Sequence, residues 1–205
     1  MVVGQQGAGK SWWCGRYARI WLEQQMERYK NGERGQPLVF VFSAKPEDPE
    51  LDKVGVKRII LDQTLLDTPL DVADFSEQLV IFDDIDQIVD KKVGKAVNAL
   101  CEQILGIGRS IHGDAKKGIW CIRTSHYFFN WQATRGALLE ANKVVFFPQR
   151  GSGTTLGRVL REGLYTSLSR DQVNKELNGC ANMLILTKNR LIKSSSYSHV
   201  GSSTT

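Results

Sequence analysis

Two short stretches carry residue types and spacings that could do chemistry. The first, Gly4-Gln5-Gln6-Gly7-Ala8-Gly9-Lys10-Ser11, fits the pattern G-x-x-x-x-G-K-[ST]. Its glycines let the backbone turn tightly and bring successive N–H groups against a triphosphate, while the positive end of a following helix points at the same charge. Lys10 would then reach the β- and γ-phosphates of ATP, and Ser11 would ligand Mg²⁺. The nucleotide-binding segment runs from Gly4 through Gln5, Gln6, Gly7, Ala8, Gly9, Lys10 and Ser11 to Trp12. A chance glycine-rich turn before a helix is the alternative. Context favours the phosphate loop: Val2 and Val3 precede it as a strand end would, and from Trp12 to Tyr29 the apolar positions Cys14, Tyr17, Ala18, Trp21 and Leu22 follow helical spacing.

The second stretch is Leu79-Val80-Ile81-Phe82, which leads straight into Asp83-Asp84. A buried parallel strand delivers its C-terminal residues to the sheet edge that carries the phosphate loop. On that edge Asp83 would hold the Mg²⁺ shell, usually through water, and Asp84 would polarise the water attacking the γ-phosphate. A solvated acidic turn is the bland alternative, and Asp86 reads as a surface or helix-capping residue. A further apolar run, Ile119 to Ile122, ends in Arg123-Thr124-Ser125-His126. By the same logic Ser125 and His126 emerge beside the γ-phosphate. His126 is read as a phosphate sensor or as a strand-end histidine satisfied by a backbone carbonyl.

These residues need an α/β frame. At 205 residues the chain fits one domain, and its hydrophobic content of 41% and charged content of 24% are those of an ordinary globular protein. No apolar run approaches the length of a membrane span, so an integral membrane segment is not expected. The net charge of +5 permits contact with a polyanion, although Lys and Arg are spread along the chain. Cys14, Cys101, Cys121 and Cys180 show no C-x-x-C spacing and read as core thiols in a reducing compartment. No signal peptide is expected ahead of the loop, because Met1 is already in the first strand. That strand is either a stub or the remainder of one that begins upstream.

Along the chain, Asn31-Gly32, Gly35 and Pro37 stop the first helix, and Leu38 to Phe42 reads as a buried parallel strand. Lys45 to Asp52 reads as a loop, Val56 to Leu61 as a short strand, and Leu65 to Phe75 is ambiguous. Val93 to Ile107 follows helical spacing and reaches Gly108-Arg109. Trp131 to Glu140 reads as a helix and Lys143 to Phe147 as the last strand of the main sheet, stopped by Pro148, Gly151 and Gly153. Two helical segments are expected next, the second opened by a Ser169/Gln172 capping box and closed by Gly179. A hairpin of Met183 to Leu186 with Leu191-Ile192 closes the fold. Residues 1–193 are thus expected to form one ATPase domain and 194–205 a flexible Ser/Thr-rich tail.

The phosphate loop, the Leu79 to Asp84 strand, the Gly108-Arg109 pair and the Thr124-Ser125-His126 strand end together resemble the HerA/FtsK superfamily of P-loop translocases. More narrowly they look like the genome-packaging ATPases of large and membrane-containing DNA viruses, over the stretch from Val2 to Pro148. The resemblance implies an α/β P-loop NTPase fold of the ASCE, RecA-like type. That is a three-layer sandwich with a mostly parallel central sheet, here with a C-terminal helical and hairpin extension. It implies ATP hydrolysis with Mg²⁺, coupled to moving double-stranded DNA through a homo-oligomeric ring, with capsid or membrane-vertex proteins as further partners. The setting would be cytoplasmic, and for a virus the host cytoplasm or the virion. In that family a sensor glutamine usually ends the strand where this chain has His126. An arginine from a neighbouring subunit would stabilise charge on the γ-phosphate, with Arg109 the first choice ahead of Arg135 and Arg150; an ordinary surface arginine is the alternative. Two other functions remain open. One is a filamentous-phage assembly ATPase resembling the zonula-occludens-toxin-like proteins, which usually carry a membrane segment. The other is a slowly hydrolysing nucleotide switch or structural ring component. Nucleoside kinases share the phosphate loop, but their lid arginines and acceptor pocket have no counterpart here.

Overall fold

The computed structural model describes residues 1–109, 117–126, 140–147, 171, 183–187 and 190–194. Several expectations lie outside these residues: most of the helix from Trp131 with Arg135, the stop at Pro148, Gly151 and Gly153, and Arg150. So do the Ser169/Gln172 box, Gly179, Cys180 and the tail beyond Ser194. The chain divides into two compact units, Gly9–Ser125 and Met1–Ala8 with His126–Thr205.

In the first unit, β2 (Val39–Ser43), β3 (Lys57–Ile60), β4 (Leu79–Asp83) and β5 (Trp120–Ser125) pair in parallel in the order β3-β2-β4-β5. The apolar runs behave as a parallel sheet requires, because crossover helices cover both faces. In β4, Val80 and Phe82 point to one face and Leu79 and Ile81 to the other, and all four are fully buried. The Val80 and Phe82 face packs against α4 (Lys91–Ile107), whose Val93, Val97, Leu100, Cys101 and Ile104 form one buried helical stripe. Phe42 stacks on Phe82 with ring centroids 4.8 Å apart, and Phe75 meets Phe40 and Phe42 edge-on.

Local chemistry explains where the sequence reading is refined. Within the expected loop at 45–52, Asp48 accepts from the backbone N–H groups of Glu50 and Leu51, and Pro49 sits in the first turn. Together they start the short helix α2 (Pro49–Asp52). The ambiguous stretch resolves into α3 (Thr64–Asp67) and a 3₁₀ turn over Val72–Phe75. Asp71 and Asp74 cap that turn reciprocally, and it buries Val72 and Phe75. Asp90 caps α4 through Lys92 and Val93.

The long helix α1 (Lys10–Lys30) starts differently. Gly9, at φ 98°, precedes it in the left-handed region, no side chain caps it and its first turn holds no acid. At its far end Arg28 and Lys30 complement the dipole, and Gly32, at φ 73°, terminates it. There Trp21 meets Trp120 of β5 at 5.5 Å, and the Arg34 guanidinium lies 5.5 Å over the Trp21 ring. Arg34 is buried and donates to Gln25 (2.7 Å), the Gly35 carbonyl (3.1 Å) and the Glu77 carbonyl.

The second unit is built on β1 (Val2–Val3), β6 (Lys143–Phe146), β7 (Met183–Thr187) and β8 (Arg190–Ser194). β1 pairs with β6 in parallel; β6 with β7 and β7 with β8 pair antiparallel. This is the expected last strand followed by the expected hairpin. The two residues of β1 are held by bonds from Val145 N to the Met1 carbonyl (2.8 Å) and from Phe147 N to the Val3 carbonyl (2.9 Å). Directly after β1, Gly4 has no room for a side chain: a Cβ there would stand 2.9 Å from that of Phe147 and 3.0 Å from that of Ala8. The α/β class with mostly parallel strand pairing is as the sequence predicts. Among the described residues no helix is long and apolar enough to cross a membrane, and Cys14, Cys101 and Cys121 are free thiols.

Two glycine substitutions test the helix packing. A Cβ on Gly15 would sit 2.5 Å from the Glu50 carbonyl oxygen, whereas Gly106 has nothing within 4 Å. Gly15→Ala should lower stability by about 1–3 kcal/mol in chemical denaturation despite its better helix propensity. Gly106→Ala should raise stability by up to about 1 kcal/mol in the same assay.

Candidate functional site

The parallel register brings three strand ends to one level. Phe42 lies beside Phe82, Ser43 beside Asp83, and Phe82 beside Arg123, so Ser43 and Asp83 end β2 and β4 level with Thr124, the penultimate residue of β5. All three are almost fully buried, and Asp84 is 5% exposed. Two neighbouring carboxylates in such a place need hydrogen bonds and positive charge.

Thr124 supplies the first. Its Oγ1 lies 2.9 Å from Asp83 Oδ1 and 3.0 Å from Asp84 Oδ1, so its one proton is shared between the two acids, and it accepts from the Asp84 backbone N–H at 2.8 Å. Asp84 sits in the left-handed region (φ 50°, ψ 37°), a conformation aspartate tolerates better than most residues. The Thr124 bond holds that kink, which turns the second carboxylate back beside the first. Ser43 Oγ approaches Asp83 Oδ2 at 3.4 Å.

Two lysines supply the charge. Lys10 Nζ, buried at the start of α1, is 3.7 Å from Asp84 Oδ1. Lys45 reaches in from the loop after β2, with Nζ 3.3 Å from Asp84 Oδ2 and 3.8 Å from Asp83 Oδ2, and its side chain is 47% exposed. Burial lowers the Lys10 pKa, an effect that Asp84 and Asp83 only partly oppose. For Lys45 partial burial works the same way, but Asp83 and Asp84 outweigh it and its pKa is raised. Burial, followed by repulsion from Asp84, raises the Asp83 pKa against the pull of Lys45 and Thr124.

The structure therefore brings together Lys10, Asp83 and Asp84 as the sequence predicts. Ser11 and Trp12 follow Lys10 in α1, both half-buried, and Arg109 is exposed just past the Gly108 that ends α4. Gly4, Gln5, Gln6, Gly7 and Ala8 belong to the unit built on β1, where Ala8 N donates to the Gln5 carbonyl at 3.2 Å and Gly7 has φ 77°. His126, half-buried directly after β5, belongs to that unit too. Asp86 corrects the reading of a surface or capping residue. It is half-buried in a 3₁₀ turn over Ile85–Gln87, its Oδ2 accepts from Ser125 Oγ at 3.1 Å, and its Oδ1 is buried with no hydrogen-bond partner among the described residues. Carboxylate-neutralising Lys45 and proton-sharing Thr124 are the site residues that sequence reasoning missed. The signal for Thr124 was its place in the quartet ending β5; Lys45, within a Pro- and acid-rich stretch, carried none.

Hard oxygen donors suit Mg²⁺, which takes one or two carboxylates together with substrate phosphates and water. The Asp83 carboxylate is a donor of that kind, and the Lys45 ammonium 3.8 Å from its Oδ2 shows that positive charge is accommodated there. Among the described residues there is no cluster of three or more His, Cys, Asp or Glu side chains of the kind that holds a metal unaided.

No family profile matches the chain. Its fold is that of solved viral packaging NTPases. The genome-packaging NTPase B204 of Sulfolobus turreted icosahedral virus 2, in complex with AMPPCP, superposes with a TM-score of 0.55 at 14% identity, covering 94% of this chain and 95% of that one. The DNA-packaging ATPase B204 of Sulfolobus turreted icosahedral virus gives 0.56 at 12% identity, with 94% and 95% covered. In sequence the chain is 32% identical over 153 residues to an uncharacterized protein, V3, of the Sputnik virophage. The match spans 74% of this chain and 56% of V3, so the chain covers about half the length of that relative.

Two substitutions probe the acid pair. Thr124→Val strips a fully buried clamp from both carboxylates and from the Asp84 N–H, and should cost about 1–3 kcal/mol of stability in denaturant titrations. Asp83→Asn should do the opposite in metal-free buffer. The folded protein holds the Asp83 proton more tightly than the unfolded chain does, so ionising Asp83 as pH rises costs stability. The variant should therefore melt above wild type, with a gap that widens from pH 4 to pH 7 in calorimetry.

Proposed function

We propose that this chain is an ATP-hydrolysing motor that translocates double-stranded DNA during viral genome packaging, working with Mg²⁺ in a homo-oligomeric ring. The observation that carries the reading is the approach of Lys10 to Asp84 at 3.7 Å, at the end of a buried strand whose two acids share one threonine hydroxyl. The fold held in common with packaging NTPases supports it. Residues 1–193 serve as the ATPase domain and 194–205 as a tail, and the protein acts in the host cytoplasm or the virion with capsid or membrane-vertex proteins. These assignments and the HerA/FtsK affiliation extend from the same resemblance.

The chemistry follows from charge placement. The segment from Gly4 to Trp12 presents backbone N–H groups and an uncapped helix start to the triphosphate, and Lys10 neutralises its outer phosphates. Ser11 and Asp83 would hold the metal ion, which would supply positive charge against the phosphate oxygens. Asp84, with one oxygen turned toward Lys10 and Thr124, uses the other to orient and deprotonate water for in-line attack. His126 senses the γ-phosphate, and Arg109 of one subunit completes the site of the next. An arginine of that kind acts only when the ring is assembled, which ties hydrolysis to neighbours and to the DNA they share.

ATP turnover measured with and without duplex DNA tests the reading. DNA should stimulate hydrolysis by the assembled protein. Lys10→Ala and Asp84→Asn should each reduce turnover at least about 100-fold, and asparagine keeps the left-handed backbone of position 84. Turnover indifferent to DNA in an assembled ring would rule out the translocase and leave a nucleotide switch or a structural ring component.

A further inference from the structure

Lys45 is the cation that the established motifs do not explain. Both its backbone groups are tied: its N–H donates to Ser43 Oγ at 3.1 Å, and its carbonyl accepts from Arg58 Nη1 at 3.3 Å. The base of the residue is thus fixed at the end of β2, while its four-carbon stem, about half exposed, is left to swing. At the tip the ammonium touches the second oxygen of each acid, Asp84 Oδ2 at 3.3 Å and Asp83 Oδ2 at 3.8 Å. Thr124 already engages the first oxygen of each. Lys45 thus reaches the oxygen of each acid that Thr124 does not engage, with Ser43 Oγ also on Asp83 Oδ2 at 3.4 Å.

Charge decides what happens next. A divalent cation arriving at Asp83 brings two positive charges next to the Lys45 ammonium, which already lies 3.8 Å from Asp83 Oδ2. Ammonium and metal compete for the same hard oxygens at close range, and of the two lysines only Lys45 has solvent to retreat into: Lys10 is 5% exposed and Lys45 is 47% exposed on their side chains.

We propose that Lys45 is a metal-exchanged latch: its ammonium occupies the divalent-cation position on the acid pair before loading, and the metal displaces it from both carboxylates. This rests on the reading of Asp83 as the metal's carboxylate. Lys45 is a positioning residue, acting through Asp83 and Asp84.

Two measurements that need no turnover test it on the full-length protein. In the first, Mn²⁺ is titrated by electron paramagnetic resonance, alone and with AMPPCP. Lys45→Ala should bind Mn²⁺ roughly five- to tenfold more tightly than wild type, the worth of about 1 kcal/mol of lost competition from a half-exposed ion pair. Lys45→Arg should stay near wild type. Unchanged or weaker Mn²⁺ binding by Lys45→Ala overturns the proposal. In the second, wild-type protein is labelled with an amine-reactive reagent and the sites are quantified by mass spectrometry, so the test survives if the alanine variant fails to fold. Lys45 labelling should rise several-fold on adding Mg²⁺ with AMPPCP, and labelling that is unchanged or falls overturns the latch. A protein that exchanges Lys45 for metal but hydrolyses nothing would sink the motor reading alone; one that hydrolyses ATP with Lys45 unmoved would sink the latch alone.

Discussion

Two like charges on consecutive residues, both nearly sealed from solvent, are the constraint that the first unit is arranged around. A hydrophobic strand could end in water at no cost, but β4 carries Asp83 and Asp84 at its buried end. Each neighbouring strand accordingly contributes something that makes them tolerable. Ser43 comes from β2, Thr124 from β5, Lys10 from the helix start, and Lys45 from the loop beyond β2. The raised pKa of Asp83 shows that this compensation is incomplete.

Far from the acids, the same helix that delivers Lys10 is pinned by a different device. Arg34, stacked over Trp21 and bonded to Gln25 and the Glu77 carbonyl, ties the C-terminal half of α1 to the segment leading into β4. Trp120 ties the same region to β5. Helix stability can then come from its packed end, and the first turn can remain without a cap. α2 and α4, by contrast, each begin behind an aspartate that occupies their terminal N–H groups.

How much of this was legible follows from what each signal depends on. The helix that begins at Lys10 and the β4 strand ending in an acid depend on local spacing and on the rule that buried parallel strands are apolar on both faces. These appear at the expected places, from Lys10–Lys30 to Leu79–Asp83. Lys45 depends instead on strand order. Only because β2, and not β3, lies beside β4 does the loop after Ser43 open over the acid pair, and chain order does not reveal that adjacency. Thr124 was hidden by parity: its neighbours Ser125 and His126 look equally suited, and the register that sets Phe82 beside Arg123 selects it. Asp86 was misjudged because a 3₁₀ turn, invisible in hydropathy, folds it back onto Ser125.

The pairing of β1 with β6 has a consequence for how the protein folds. Val2 and Val3 find their ladder partners only at Val145 and Phe146, and Gly4 settles against Phe147. The β1–β6 ladder therefore closes across some 140 intervening residues, whereas β2, β4 and β5 of the other unit pair over shorter separations in the chain. A folding chain can thus assemble its acid pair before the residues around Gly4 are anchored, because the contacts that fix them close a much longer loop.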